Sequence, residues 1–224
     1  MLLERRDGAL TGNHMKRRVL TCKAANGDDK SEELTNFADF IGLELATSGR
    51  YSTLLMLGLF GGCKSGLLNP AKVIHEIKAL EGLGTASQLK PPSLFKHPPL
   101  KGLWHKHYLE DGLGAMAFNL NKGIGKYGLP LFKQRMREAE DTDEERYVTK
   151  EDVKSLADDT MRGNWMRLAD AEALTGAWIV YAQYEGANYY LCLGKHDSGD
   201  YYLRKQIDAI CCQEFPFLNS LLAN

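Results

Sequence analysis

The sequence has no apolar run long enough to cross a membrane. Its most apolar stretch, residues 54–63, is about half the length of roughly 20 residues that a spanning helix needs. The basic residues Arg5 and Arg6 are followed by no apolar segment, so we expect no secretory signal. These two absences predict a globular protein that does not bind a membrane.

Several sequence motifs of enzymes are also absent. There is no G-x-S-x-G nucleophile turn, no H-E-x-x-H zinc helix, no C-x-x-C pair and no G-K-[ST] phosphate loop. The five cysteines are an odd number, and Cys211 and Cys212 are adjacent, which suits neither a normal disulfide nor a zinc knuckle. We therefore expect reduced thiols in a cytoplasmic protein, with no cofactor and no resident metal.

Net charge is low, but its distribution along the chain is uneven. Residues 1–134 contain 18 basic and 12 acidic side chains, whereas residues 135–224 contain 10 basic and 17 acidic ones. Such an asymmetry indicates a basic face on one part of the molecule and an acidic face on the other. The alternative is that the two parts neutralise each other within the fold.

Periodicity predicts an α+β fold, with a mostly helical body and a small antiparallel sheet that includes a C-terminal hairpin followed by a final helix. We expect a variable or disordered leader over 1–14 and a single domain over 15–224. That domain has a basic, loop-containing part over about 15–134 and an acidic part of helices and hairpin over about 135–224. We expect helices over 31–46, 51–59, 70–81, 130–140, 150–161, 164–174 and 200–215. The two strands of the hairpin are expected over 177–184 and 188–193.

The stretch 90–107 differs most from ordinary scaffold. It contains four lysines, three of the six histidines and four prolines, and no acidic residue. Prolines fix φ and remove backbone donors, so they exclude a helix here. A stiff loop with cations, imidazoles and the indole of Trp104 suits an anionic ligand or proton-transfer chemistry.

The segment His105-Lys106-His107 is the main candidate for catalysis. In an extended backbone the alternation places both imidazoles on one side. Two imidazoles can act as general acid and base, because each titrates near neutrality. They could also be two ligands of a metal, with a further ligand from the following set: His97, His196, Glu110 and Asp111.

Four lysines are candidates for phosphate binding: Lys101, Lys106, Lys122 and Lys126. The last two lie in the segment 121–128, which we expect to be a glycine-rich loop after a short strand at 115–119. Backbone N–H groups of such a loop, together with its lysines, can hold a phosphate. A dinucleotide site is not predicted, because no second strand follows.

Aromatic residues lie between these lysines, and Trp104 and Tyr108 are the candidates for stacking on unpaired bases. Cations and aromatic rings together form the surfaces that bind single-stranded RNA or DNA. His196 follows the hairpin, between Lys195 and Asp197, where a rigid element could position it for an auxiliary catalytic role. This end of the hairpin is similar to the tail of small ribosome-dependent ribonuclease toxins, although their set of arginines is missing.

We therefore expect a nucleic-acid-acting protein, most plausibly a metal-independent ribonuclease or an RNA-directed bacterial toxin. His105 and His107 would supply the acid and base, and His196 would assist. Two alternatives stay open. One is a non-enzymatic module that binds a protein partner or a second copy of itself, and the other is a metal-dependent hydrolase.

Overall fold

The computed structural model describes residues 21–23, 26–142, 147–195 and 197–223. In this part of the chain the helices α1 to α11 are Ser31–Phe40, Leu43–Thr47, Thr53–Lys64, Pro70–Leu80, Leu113–Tyr127, Pro130–Asp141, Lys150–Asp158, Asn164–Asp170, Asp200–Gln206, Cys212–Glu214 and Phe217–Leu221. The strands β1 to β4 are Ser93–Leu94, Trp104–Tyr108, Ala177–Tyr184 and Ala187–Gly194. The predicted leader lies outside the described residues.

The predicted α+β class is confirmed. The four strands form one antiparallel sheet in the order β1-β2-β3-β4, so β2 from the basic part of the chain pairs with the C-terminal hairpin. Among the described residues, none of the helices combines the length and the apolar character needed to span a bilayer.

The sheet lies between two helical layers, and β3 is buried on both faces. Its residues Ala177, Ile179 and Tyr181 pack with α1 to α4, whereas the alternate residues Trp178, Val180 and Ala182 pack with the C-terminal helices. Continuous burial is typical of a central strand covered on both sides. We call these two sides the α4 face and the C-terminal face of the sheet.

Local signals fixed several helix starts as expected. The Asn69 side chain accepts from Ala71 N, and Pro70 takes the first helical position of α4. At α7 the Thr149 and Asp152 side chains form a capping box. These contacts satisfy N–H groups that have no partner inside the helix.

Two predicted helix boundaries were wrong. The helix expected over 31–46 is broken, because Gly42 adopts a left-handed backbone with φ of 73° between α1 and α2. The break expected between the helices 150–161 and 164–174 does not occur. A π-helical turn, Asp159–Gly163, instead continues α7 into α8. A second π-helical turn, Ile207–Cys211, links α9 to α10.

The strand expected at 115–119 and the glycine loop expected at 121–128 were also wrong, because both segments belong to α5. Asn119 and Gly123, four residues apart, are the buried residues of α5 and therefore lie on one helix face. A Cβ on Gly123 would lie 2.8 Å from Asn164 Cβ of α8. The glycine at this position permits close helix packing and does not mark a loop.

A pair of glycine substitutions tests this helix. Gly125 has open space around its Cβ position, so Gly125→Ala should raise the free energy of unfolding by about 0.5–1 kcal/mol through the higher helix propensity of alanine. Gly123→Ala, by contrast, should lower it by about 1–3 kcal/mol through overpacking against Asn164. Urea unfolding followed by circular dichroism measures both values. Destabilisation by Gly125→Ala would contradict the helix.

Candidate active site

The histidine segment has an extended backbone, because β2 contains both residues. This strand was not among the predicted elements, but it meets the condition under which alternation places both imidazoles on one side. His105 pairs with Val180 and His107 with Trp178 of the neighbouring β3. Both imidazoles lie on the C-terminal face, and their ring centroids are 5.6 Å apart. We call these two side chains the histidine pair.

His107 is held by the start of β3. Its side chain is 4% exposed, and its Nδ1 lies 2.8 Å from the Gly176 carbonyl oxygen and 3.2 Å from Thr175 Oγ1. Gly176 N also lies 3.3 Å from this Nδ1, whose role as donor or acceptor depends on the tautomer. In the tautomer with its proton on Nδ1, that nitrogen donates to the Gly176 carbonyl, the nearest of these partners. A neutral imidazole in this tautomer presents its Nε2 lone pair as a base.

A glycine makes this anchoring possible. The position that a Cβ of Gly176 would occupy overlaps the backbone carbonyl of Tyr108, so only a residue without a side chain fits there. The chain can therefore enter β3 directly against the end of β2. This close approach brings the Gly176 carbonyl to the ring of His107.

His105 lies in an aromatic setting. Its ring centroid is 4.6 Å from that of Phe95, which follows β1, and 5.1 Å from that of Trp178 in β3. The side chain is only partly buried, so it is the more accessible member of the pair. Rings on two sides restrict its rotamers and keep it beside His107.

The segment 173–175 connects the histidine pair to α5. Asn119 Oδ1 accepts from Thr175 N, and its Nδ2 donates to the Thr175 carbonyl, while Thr175 Oγ1 contacts His107. One turn further along α5, Lys122 Nζ donates to the Ala173 carbonyl. The same short segment therefore positions an imidazole and a lysine.

Three lysines approach one another at this place: Lys90, Lys122 and Lys126. Burial, followed by the positive charges of the other two, lowers the pKa of Lys122. Lys126 Nζ also lies 5.0 Å from the centroid of the Tyr127 ring. We call these residues the lysine cluster, and such a concentration of positive charge favours an anion.

The remaining predicted site residues do not join this group. Lys101 is exposed in the turn before β2. Trp104 is half-buried on the α4 face, with its ring centroid 6.4 Å from that of Tyr181. Tyr108 is 4% exposed, and burial raises the pKa of its phenol, so its ring offers no open face to a base.

Lys106 also lies on the α4 face and is 3% exposed, so its placement does not fit a lysine that binds phosphate at the surface. Its Nζ is 3.3 Å from Glu76 Oε2 of α4. Burial lowers the pKa of this ammonium group, and the Glu76 carboxylate opposes that shift. We call these two residues the buried ion pair.

The sequence analysis missed Glu76, although a signal was present. Alternation in β2 places Lys106 between Trp104 and Tyr108 on an apolar face, and a lysine in that position requires a buried acceptor. Glu76 is buried on α4 together with Val73, Ile74 and Ile77, where an acidic side chain is equally out of place. The helical periodicity of α4 directs both Val73 and Glu76 inward.

His196 lies outside the described residues, and its predicted auxiliary role stays a prediction. Its neighbour Lys195 forms an ion pair with Glu110, with 2.5 Å between Nζ and Oε1. Within the described ranges no group of three or more His, Cys, Asp or Glu side chains could hold a metal ion. The five cysteines, all within the described residues, form no disulfide bond.

A double-mutant cycle tests the buried ion pair. Lys106→Met should lower the free energy of unfolding by about 3–5 kcal/mol, because Glu76 is left as an uncompensated buried charge. Lys106→Met combined with Glu76→Leu removes both charges and should lose clearly less than the two single changes added together. Urea unfolding measures all three variants. Additive losses would show that the two charges do not interact.

Comparison with known proteins adds no relative to this description. No protein-family model, no curated protein and no solved structure matches the chain. Any function is therefore inferred from the histidine pair, the lysine cluster and their surroundings.

Proposed function

We propose that this protein binds single-stranded RNA and cleaves it without a metal ion, by acid–base catalysis at the histidine pair. One observation carries the proposal: the segment 173–175 contacts both His107 of the histidine pair, through Thr175, and Lys122 of the lysine cluster, through Ala173. Phosphodiester cleavage needs a base, an acid and positive charge close together.

In the proposed reaction, His107 Nε2 takes the proton of a ribose 2′-hydroxyl. The 2′-oxygen then bonds to phosphorus, and the bond from phosphorus to the 5′-oxygen breaks. His105, in its protonated form, donates a proton to that leaving oxygen. The products are a 2′,3′-cyclic phosphate and a 5′-hydroxyl, and the lysine cluster offsets the charge that develops on the phosphate oxygens.

The burial of His107 sets a condition on this reaction. Phe95 covers His105 and follows the edge strand β1, in which Ser93 and Leu94 pair with β2. Phe95 N donates to the Leu103 carbonyl, and the Phe95 carbonyl accepts from Gly102 N, so opening this edge breaks those two bonds as well. Such a local opening costs less than disruption of the central strands. Displacement of this edge by the substrate would admit the ribose to the imidazoles.

Five cysteines without a disulfide bond among them fit a reducing compartment, and we place the activity in the cytoplasm. A ribonuclease acting there on RNA of its own cell would be toxic, in keeping with the toxin interpretation of the sequence. Expression of the active chain and of the His105→Ala chain in the same host separates toxicity due to cleavage from toxicity due to overproduction.

Cleavage of labelled single-stranded RNA tests the reaction itself. The wild type should cleave in the presence of EDTA and should leave 2′,3′-cyclic phosphate ends, and a strand containing only 2′-deoxyribose should stay intact. His105→Ala and His107→Ala should each lower the rate at least about 100-fold, the usual contribution of a general acid or base.

The matched control is His97→Ala, because His97 is an exposed histidine of the same loop outside the histidine pair. It should cleave like the wild type, and circular dichroism should show that all three variants are folded. Loss of cleavage with EDTA would indicate a metal-dependent hydrolase. No cleavage under any condition would overturn the proposal and favour a non-enzymatic interaction protein.

The lysine cluster makes a separate prediction about salt. RNA affinity should fall steeply as salt rises, because bound phosphates release counterions. Changing Lys90, Lys122 and Lys126 to Gln should reduce the slope of log K against log salt by about 2, since each phosphate of a single strand that a lysine neutralises adds roughly 0.7 to that slope. Fluorescence anisotropy at several salt concentrations measures the slope.

The control for the salt measurement is a variant with the same change of charge at three other exposed lysines. The triple change of Lys150, Lys154 and Lys205 to Gln removes three positive charges outside the lysine cluster. It should leave the slope close to that of the wild type. Equal slopes for the two triple variants would show that RNA does not bind at the lysine cluster.

A further inference from the structure

An apolar groove of about 270 Å³ lies between α5 and the stretch in which the π-helical turn Asp159–Gly163 continues into α8. The side chains that line it are Met116 and Leu120 of α5, Met161 and Arg162 of the π-helical turn, and Trp165 and Met166 of α8. We call this space the methionine groove. Its lining is apolar except for the guanidinium group of Arg162 and the indole N–H.

Several large apolar side chains at the methionine groove are exposed to solvent. Met161 is 52% exposed and Met166 49%, and Leu113, which precedes Met116 by three residues on α5, is 78% exposed. Apolar side chains that are scattered singly are normal on a surface, whereas a contiguous group of them marks a binding site. Methionine is common at such sites, because its flexible and polarisable side chain adapts to the surface that it meets.

The charges along this stretch of helix indicate what covers the groove. Arg162 lies four residues before Met166, and Asp170 lies four residues after it. Residues spaced by four lie on one side of a helix, and Arg162 and Met166 do line the same groove. All three side chains are exposed. An apolar side chain with a positive charge on one side and a negative charge on the other is complementary to its own copy in the antiparallel direction.

We propose that a second copy of this chain covers the methionine groove, in a homodimer whose twofold axis passes beside Met166. The two α8 helices then run antiparallel, so Met166 contacts the partner's Met166 and Arg162 contacts the partner's Asp170. Symmetry forms this ion pair twice. The contact removes the apolar lining of both copies from water, which is the favourable term, and the two ion pairs fix the direction of the helices. The dimer does not depend on the function proposed for the histidine pair.

Analytical ultracentrifugation of the full chain measures the dimer. From about 1 to about 200 µM, where small interfaces assemble, the mass should rise from the 25.0 kDa of one chain towards twice that value. Met166→Lys should keep the chain monomeric, because two equal charges would meet at the twofold axis. The matched control is Phe40→Lys, which replaces an 87% exposed apolar residue of α1 and should dimerise like the wild type.

Charge exchange tests the antiparallel arrangement. Arg162→Glu places an acid against the partner's Asp170, and Asp170→Arg places a second cation against the partner's Arg162. Each variant alone should dimerise at least about tenfold more weakly than the wild type, because symmetry repeats the like-charge contact twice. An equal mixture of the two variants should form a heterodimer, since both contacts then join opposite charges. Circular dichroism should show that each variant is folded.

The results can overturn the inference in three ways. A wild type that stays monomeric over the whole range would refute it and leave the methionine groove to a helix of another protein. A dimer that persists in Met166→Lys would have its interface elsewhere. A mixture of Arg162→Glu and Asp170→Arg that associates no better than either variant alone would refute the antiparallel contact. RNA cleavage is measured separately, so either proposal can fail while the other stands.

Discussion

The structure depends most on the buried ion pair between Lys106 of β2 and Glu76 of α4. Two charges removed from water are costly unless each compensates the other, so helix and strand must meet in one arrangement. The same contact determines which face of β2 carries which side chains. With Lys106 directed at α4, alternation directs the histidine pair at the opposite face.

Sequence patterns predicted the elements whose signals are local. The helix that begins at Pro70 and the C-terminal hairpin were confirmed, since capping residues and alternating aromatic residues act within a few positions. Helix α5 was not predicted, because its glycines have the composition of a loop. The reason for a glycine at position 123 is the close approach of Asn164, which lies 41 positions further along the chain and meets it only after folding.

The candidate site was predicted only in part, because some of its contacts join residues that are distant in the sequence. The placement of both imidazoles on one face follows from alternation once the segment is extended, but the strand itself was not predicted. The lysine cluster does not follow from a local pattern, because Lys90 N donates to the Leu174 carbonyl and Lys122 Nζ to the Ala173 carbonyl, contacts between residues far apart in the sequence. Lys106 was misplaced because a lysine in a basic loop suggests an exposed cation, whereas its position between Trp104 and Tyr108 indicates burial.

Register explains why a buried charge is useful in this sheet. A slip of β2 by one residue would exchange its two faces, and such slips are weakly opposed when both faces are apolar. Here a slip would place Lys106 against Trp178 and would remove it from Glu76, while His107 would move away from the Gly176 carbonyl. The ion pair therefore specifies one register, and that register determines the face of the sheet on which the histidine pair lies.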